Sequence, residues 1–444
     1  MAEEVKYKNI EKRTDKSDYM TCLDEARVYQ KAWFKQMQER TAAGEPLVYC
    51  NADVPMEIPL SMDIPFVSNQ WWSATCAAKR LSGHYFENMR QRGLRDDLCS
   101  YCSQCIGNAM EPDQTTGPWG GLPKPSIAVT RLTCDGQGKI FELFAKEHGC
   151  ELYTMENTTP IVPEPTTKEW WNDAKDDWAD IYEKERLDDA VEECWAFIHY
   201  LEEKTGKVFD MQKFVKVQKL VNEQNEWFEK IRNLVCNAPY QPANTTDFSR
   251  AMVLQWQRGT QWGVDMAKKI YYEVKERVEN EHKTIPNEKV RLMWNGRGLW
   301  FNMAFMQAFQ EKYGAVFVGA GPLSFGSDAY IRRHVDEDPI RSLAARFVGM
   351  EDFIHMPPWN YKQHVAEAKR FRADGIIYLV GDSCMMTVEG SQFLIDAYKE
   401  AGIPVFVIRA DNVDPKQWRE EEFVRDVGNF IETEIYPKKG LKLE

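Results

Sequence analysis

Eleven cysteines in a chain of 444 residues carry the chemistry most open to argument. Three stand in one short run, Cys99-Ser100-Tyr101-Cys102-Ser103-Gln104-Cys105. That C-x2-C-x2-C spacing recurs where a loop wraps thiolates round an iron–sulfur cubane. The fourth cysteine and the proline of the ferredoxin form are absent, because the chain continues Ile106-Gly107-Asn108-Ala109, so at least one ligand has to come from elsewhere. Cys134 and Cys384 are the candidates. Zinc is a rival, since four thiolates suit it equally well, although structural zinc sites normally join two close C-x2-C pairs in one small module. An inert group of cysteines is the third reading. An odd count cannot pair completely, and in a reducing compartment cysteines point to metal, cluster or catalytic roles before disulfides.

Cys134 and Cys384 occupy the same place in two similar units. Ser126 to Thr130 reads as a strand, Cys134 follows, Gly136 to His148 is helical, Gly149 stops the helix, and Cys150 to Met155 is again strand-like. Gly375 to Val380 likewise leads to Cys384, a helix to about Ala401, Gly402 as its stop, and a strand from Pro404 to Ile408. The pair reads as an internal duplication. Ligands of open parallel sheets sit beyond the carboxyl ends of strands, where both cysteines fall. The helix N-terminus after each is expected to lower the thiol pKa and favour thiolate.

The rest of the chain supplies the scaffold. Its length exceeds what one core usually organises, so two or three domains are expected. Residues 1–45 read as an N-terminal helical segment, 46–165 as a first α/β domain with short strands at Leu47–Cys50 and near Pro65–Val67, 166–286 as a helical domain, and 287–444 as a second α/β domain. The fold class is α/β: two flavodoxin-like, doubly wound parallel-sheet domains with an intervening helical segment, and a cleft in which Cys134 and Cys384 face each other. Hydrophobic residues at 43% and charged residues at 28% are those of a globular protein. A net charge of −13 disfavours nonspecific nucleic-acid binding. No run approaches the roughly 20 apolar residues of a membrane span, and the first residues lack the apolar core of a signal peptide, so a cytoplasmic protein without membrane contact is expected. No G-x4-G-K-[ST] phosphate loop occurs in the sequence.

Four motifs in one order, Asp97-Leu98-Cys99-Ser100-Tyr101, Leu122-Pro123-Lys124-Pro125 leading into Cys134, Gly375 to Cys384, and Asp411-Asn412-Val413-Asp414-Pro415, cover roughly residues 30 to 435. Together they resemble the catalytic subunits of 2-hydroxyacyl-CoA dehydratases and ATP-dependent benzoyl-CoA reductases. The resemblance implies a [4Fe-4S] cluster held by Cys99, Cys134 and Cys384 with one iron left open. It also implies an acyl-CoA substrate, a homologous second cluster-binding subunit, an ATP-hydrolysing iron–sulfur activator, and a ferredoxin or similar donor upstream. Dehydratases of this kind commonly carry a glutamate in a Pro-Glu-Asn stretch before an alanine-rich helix. Here that place reads Val67-Ser68-Asn69-Gln70-Trp71-Trp72. Gln70 cannot act as a carboxylate base, and the tryptophans offer a flat apolar wall. Gln70 and Trp71 are therefore the candidate catalytic positions, and the reading favoured is the larger cluster subunit of a benzoyl-CoA reductase, an oxidoreductase that dearomatises an acyl-CoA ring. The alternatives are an (R)-2-hydroxyacyl-CoA dehydratase subunit, a lyase acting through a ketyl radical, and a homodimeric double-cubane electron-transfer protein without a CoA substrate. A zinc-stabilised binding protein is a further alternative.

Other features are weaker. Asp53 or Glu57, near the end of the first strand, would replace the missing glutamate if dehydration occurs. Lys79, Arg80, Arg90, Arg92 and Arg95 form the most basic patch, suited to CoA phosphates, an activator, or plain solvation, and Arg332-Arg333-His334 is a second. His334, His355 and His364 are possible proton donors. Cys102 and Cys105 lie outside the three-ligand pattern, Cys50 is an outside candidate, Cys76 packs a helix, and Cys22, Cys150, Cys194 and Cys236 look structural. Gly117 to Gly121 reads as a turn.

Overall fold

The structure, a computed structural model, describes residues 19–95, 98–162, 164–165, 169–174, 178–319, 334–388 and 390–442. Asp97, Thr166, Arg332 and Arg333 lie outside the described residues. The two expected α/β units are present as two four-stranded sheets. The first comprises β1 (Val48–Cys50), β2 (Phe66–Ser68), β3 (Ile127–Arg131) and β4 (Glu151–Met155), ordered β2-β1-β3-β4. The second comprises β5 (Val290–Gly296), β6 (Ala315–Gly319), β7 (Gly375–Val380) and β8 (Val405–Arg409), ordered β6-β5-β7-β8. All pairings are parallel.

Each sheet turns from one winding direction to the other beside its first strand, the order of a flavodoxin-like fold, and so opens a crevice at the carboxyl ends of β1 and β3, or of β5 and β7. Strands β3, β5 and β7 are buried throughout because helices cover both faces, which is why they read as nearly continuous apolar runs. The edge strands β4 and β8 are only partly covered.

Period-two alternation assigns each second-sheet residue to one of two cores. Met293, Val316, Ile376 and Tyr378 meet the long helices Met211–Asn237 and Gln261–Glu279 through Ile231, Val235, Met266 and Ile270. Leu292, Trp294, Phe317, Ile377 and Leu379 face the opposite way, towards Phe430, Ile431 and Ile435. A third core joins Trp33 and Phe34 of the helix Leu23–Ala42 to the first sheet, to Leu187 and Phe197 of Lys184–Thr205, and to Leu343 and Phe347 of Pro339–His355.

One expected element is divided. The helix after Cys384 is two pieces, Met385–Val388 and Ser391–Glu400, and Gly390 at φ +65° separates them. A positive φ is open to glycine and stops the first turn there. Helix Asp135–His148 ends as expected at Gly149, φ +63°.

Candidate active site at the cysteine cleft

Three chain segments place three thiols. Cys99 immediately precedes the helix Ser100–Ala109, Cys134 immediately precedes Asp135–His148, and Cys384 closes a tight turn after β7 in which its N–H donates to the Gly381 carbonyl at 2.8 Å. Thr387 holds that turn from the other side, its hydroxyl accepting from Gly381 N–H at 3.1 Å. Asp411, buried just past β8, then fastens the two halves. Its Oδ2 accepts from Ser100 Oγ at 2.5 Å and from Ser383 Oγ at 2.8 Å, while Oδ1 accepts the N–H groups of Val413 and Asp414, each at 2.8 Å. The residues next to Cys99 and Cys384 thus share one carboxylate, although 283 positions separate Ser100 from Ser383.

The Cys99 side chain is in hydrogen-bonding contact with those of Cys102 and Cys384, and Cys134 feels Cys384 electrostatically. All three cleft thiols are held above the ordinary thiol value, and the expected lowering at the helix N-termini does not prevail. For Cys99 the leading cause is the bond with Cys102, for Cys384 the bond with Cys99, and for Cys134 burial, against which the Gly136 N–H pulls down without winning. Thiols crowded in a poorly solvated cleft resist ionising unless positive charge is supplied. Among the described residues, no three His, Cys, Asp or Glu side chains stand at the spacing a metal ion would impose.

One cation is supplied by the chain. Arg297 follows β5 and lies against Cys384, within electrostatic reach of Cys99 and Tyr101. Gly296 puts it there: at φ +87°, with room for no Cβ because Leu379 O would lie 2.1 Å away, it brings the end of β5 against β7. The Arg297 carbonyl accepts from Trp294 Nε1 at 2.9 Å, and nearby Trp300 stacks on Tyr101 with centroids 6.2 Å apart.

The first sheet contributes an acid. Asp53, buried beyond β1, accepts at Oδ2 from Thr133 Oγ1 at 2.5 Å and from Asn51 Nδ2 and Gln137 Nε2, each at 3.3 Å. It faces Cys134 electrostatically, and also His355. His355 ends the helix Pro339–His355, four residues after Glu351, whose carboxylate pairs with Arg131 of β3 at 2.5 Å. Residues four apart share a helix face, so His355 looks towards the same strand ends. Burial keeps it below its ordinary value, with Asp53 pulling upward and Arg297 pushing down.

The other sequence candidates separate clearly. Gln70, the second residue of the helix Asn69–Ala78, accepts from Ala52 N–H at 2.7 Å and reaches the Cys102 sulfur at 3.8 Å through Nε2. Trp71 is buried among Trp33, Phe34, Trp72 and Trp119, with ring centroids 5.0 to 6.1 Å away. Glu57 is committed to a buried ion pair with Arg258 at 2.9 Å. Cys102 is buried beside Cys99, whereas Cys105 turns its thiol to the Cys102 carbonyl, and burial pushes Cys50, Cys105 and Cys194 up to about 12. Cys76 and Cys236 are buried in hydrophobic cores; Cys22 and Cys150 are half-buried at their margins. Lys79, Arg80, Arg90, Arg92 and Arg95 are exposed, Arg90 pairing with Glu87 and Arg92 with Glu147. His334 is exposed, and His364 lies against Phe353, held down to about 4 by burial. Reading the sequence alone missed Arg297, Ser100, Ser383 and the clamping role of Asp411. The available signals were a basic residue between two glycines at the end of a strand, and the aspartate that opens the last family motif.

A family model described as 2-hydroxyglutaryl-CoA dehydratase, D-component, matches residues 51–433. The chain belongs to that family. It is 24% identical to the (R)-phenyllactyl-CoA dehydratase alpha subunit of Clostridium sporogenes, over 90% of this chain and 93% of that one. It is 22% identical to the (R)-2-hydroxyisocaproyl-CoA dehydratase alpha subunit of Clostridioides difficile, over 91% and 93%. The family and these relatives are dehydratase subunits, which favours the lyase alternative over the reductase; a benzoyl-CoA reductase is not among them. Among the described residues, no helix is long and apolar enough to cross a membrane.

Proposed function

We propose that this chain is the cluster-binding subunit of an (R)-2-hydroxyacyl-CoA dehydratase, in which Cys99, Cys134 and Cys384 hold a [4Fe-4S] cluster. The observation that carries this reading is the meeting of cysteine-bearing segments from two α/β halves around one carboxylate, Asp411, in a chain of the dehydratase family. The donor set fits. Thiols are what iron–sulfur clusters and other soft metal centres take, and the half-buried cation beside them suits an anionic assembly. When bound, the cluster supplies a low-potential electron to the acyl thioester. In the net reaction the 2-hydroxyl and a C3 hydrogen leave as water, so the chain needs groups that move protons but no net oxidant. Asp53 and His355 are those groups, both facing the strand ends of the first sheet. Gln70 has no titratable group to give or take a proton, so Asp53 takes the place of the absent glutamate. A second homologous subunit and an ATP-hydrolysing activator complete the enzyme.

Gln70 also favours a second reading, the reduction of an aromatic acyl-CoA, which needs no carboxylate at that position. One experiment separates the two. The chain is produced anaerobically with its partner subunit and activator, given ATP and a one-electron donor, and offered a 2-hydroxyacyl-CoA and benzoyl-CoA in parallel. Enoyl-CoA from the first with the second untouched is the expected result; ring reduction without dehydration would replace this reading with the other. Asp53→Asn should lower turnover roughly a hundredfold while leaving iron content unchanged.

A further inference from the structure

Arg297 has no evident reason to be where it is unless something anionic lies beside it. Its guanidinium lies against Cys384 within electrostatic reach of Cys99 and Tyr101, and its Nε is inaccessible to solvent and has no hydrogen-bond partner. Among the described residues no carboxylate forms an ion pair with it. Three buried arginines elsewhere in the described residues are matched by carboxylates: Arg131 by Glu351, Arg186 by Asp352 and Arg258 by Glu57. A half-buried cation facing neutral thiols, its Nε shut off from water without a partner, carries an uncompensated desolvation cost. The backbone also commits itself to this placement, since Gly296 is confined by Leu379 O and the Arg297 carbonyl is pinned by the Trp294 indole.

We propose that Arg297 is the built-in counter-cation of the cysteine-held cluster, a positioning residue that stabilises its thiolate ligands and raises its reduction potential. The inference rests on the cluster reading above and adds a residue to it. Adding an electron makes an already anionic assembly more negative. A fixed positive charge in a dry site stabilises the reduced form more than the oxidised one, and hydrogen bonds to cluster sulfur act in the same direction. Cys384 is the sulfur it touches, so the effect enters through the second half of the cleft.

The test is a potentiometric titration of the full chain, reconstituted anaerobically with iron and sulfide and followed by the electron paramagnetic resonance of the reduced cluster, for wild type, Arg297→Gln and Arg297→Lys. Removing the charge should shift the reduced-to-oxidised ratio at fixed potential at least tenfold towards oxidised, about 59 mV for one electron, and lysine should restore most of it. If the glutamine variant takes up no iron but the lysine variant does, the charge is needed to hold the ligands, which also supports the proposal. An unchanged potential in Arg297→Gln overturns it. So do equal shifts in both variants, or loss of iron from both, since those would mean that the planar fork and its packing matter and the charge does not. A wild-type chain that takes up no iron would instead sink the cluster reading itself.

Discussion

The two halves of the cleft are the same device with opposite electrical character. In each, the third strand leads to a cysteine, and the first strand delivers a polar residue beside it, because both sheets share one strand order. In the first half that residue is Asp53, held by Asn51, Thr133 and Gln137; in the second it is Arg297, against Cys384. Cys134 directly precedes a helix of 14 residues and is half-buried, while Cys384 is folded into a tight turn and buried. The shared strand order thus places these residues in equivalent positions, and the residues beyond β1 and β5 set the electrical character of each half. On the proposed reading, the first half moves protons and the second tolerates negative charge.

The largest expected effect breaks the pairing itself. Cys384→Ser should lose essentially all bound iron and sulfide after anaerobic reconstitution, as should Cys99→Ser, since their side chains are in contact. Cys134→Ser should also lose the cluster if the first half supplies a ligand. Cys194→Ser and Cys236→Ser, buried in hydrophobic cores, should retain it. Iron and sulfide analysis decides the matter, and a fully loaded Cys134→Ser protein would reduce the first half to a proton-handling wall.

Next comes the clamp. Asp411→Ala leaves Ser100 Oγ, Ser383 Oγ and two backbone N–H groups without their shared acceptor. Hydrogen bonds to a buried carboxylate are among the stronger ones, so a loss of about 3 kcal/mol is expected in chemical denaturation. If Asp411 only stabilises the second half, cluster retention should follow stability. If it sets Cys99 against Cys384, iron should be lost under conditions where the chain is still fully folded.

The strands and most helices of this arrangement were legible in the sequence because parallel strands buried on both faces give short continuous apolar runs, and glycines such as Gly149 and Gly402 mark the helix ends. The cysteine spacing was legible too, since it is local. What was not legible is long-range electrostatics. Nothing in the sequence says that Ser100 and Ser383 share Asp411, or that Gly296 brings Arg297 against Cys384, because these meetings depend on how two sheets face each other. The thiol pKa direction failed for the same reason: the helix N-terminus is a local cue, while burial and a second cysteine arrive through the tertiary fold. Trp71 shows the limit from the other side. Its neighbours in sequence suggested a pocket wall, and its neighbours in space are the aromatic residues of a core.

The smallest difference lies at the far ends of the two helices that follow the cysteines. Asp135–His148 ends on His148, packed against the Phe144 ring with centroids 4.5 Å apart, whereas Ser391–Glu400 ends on an exposed glutamate. Burial, aided by Lys124, lowers His148 from its ordinary value to about 4. Between the ordinary histidine range near 6.5 and about 4, the unfolded chain therefore binds a proton there that the folded chain does not, and stability contributed by the neutral ring is lost as pH falls through that window. His148→Phe keeps an aromatic ring and removes the proton, so its unfolding free energy should fall less than that of wild type between pH 6.5 and pH 4, by on the order of 1 kcal/mol given the partial solvent contact. Other buried groups that titrate there, Asp352 among them, are present in both proteins and cancel in the difference. Equal acid sensitivity of the two proteins would mean that His148 is protonated without penalty in the folded chain, and that the first half of the cleft has no acid-labile anchor that the second lacks.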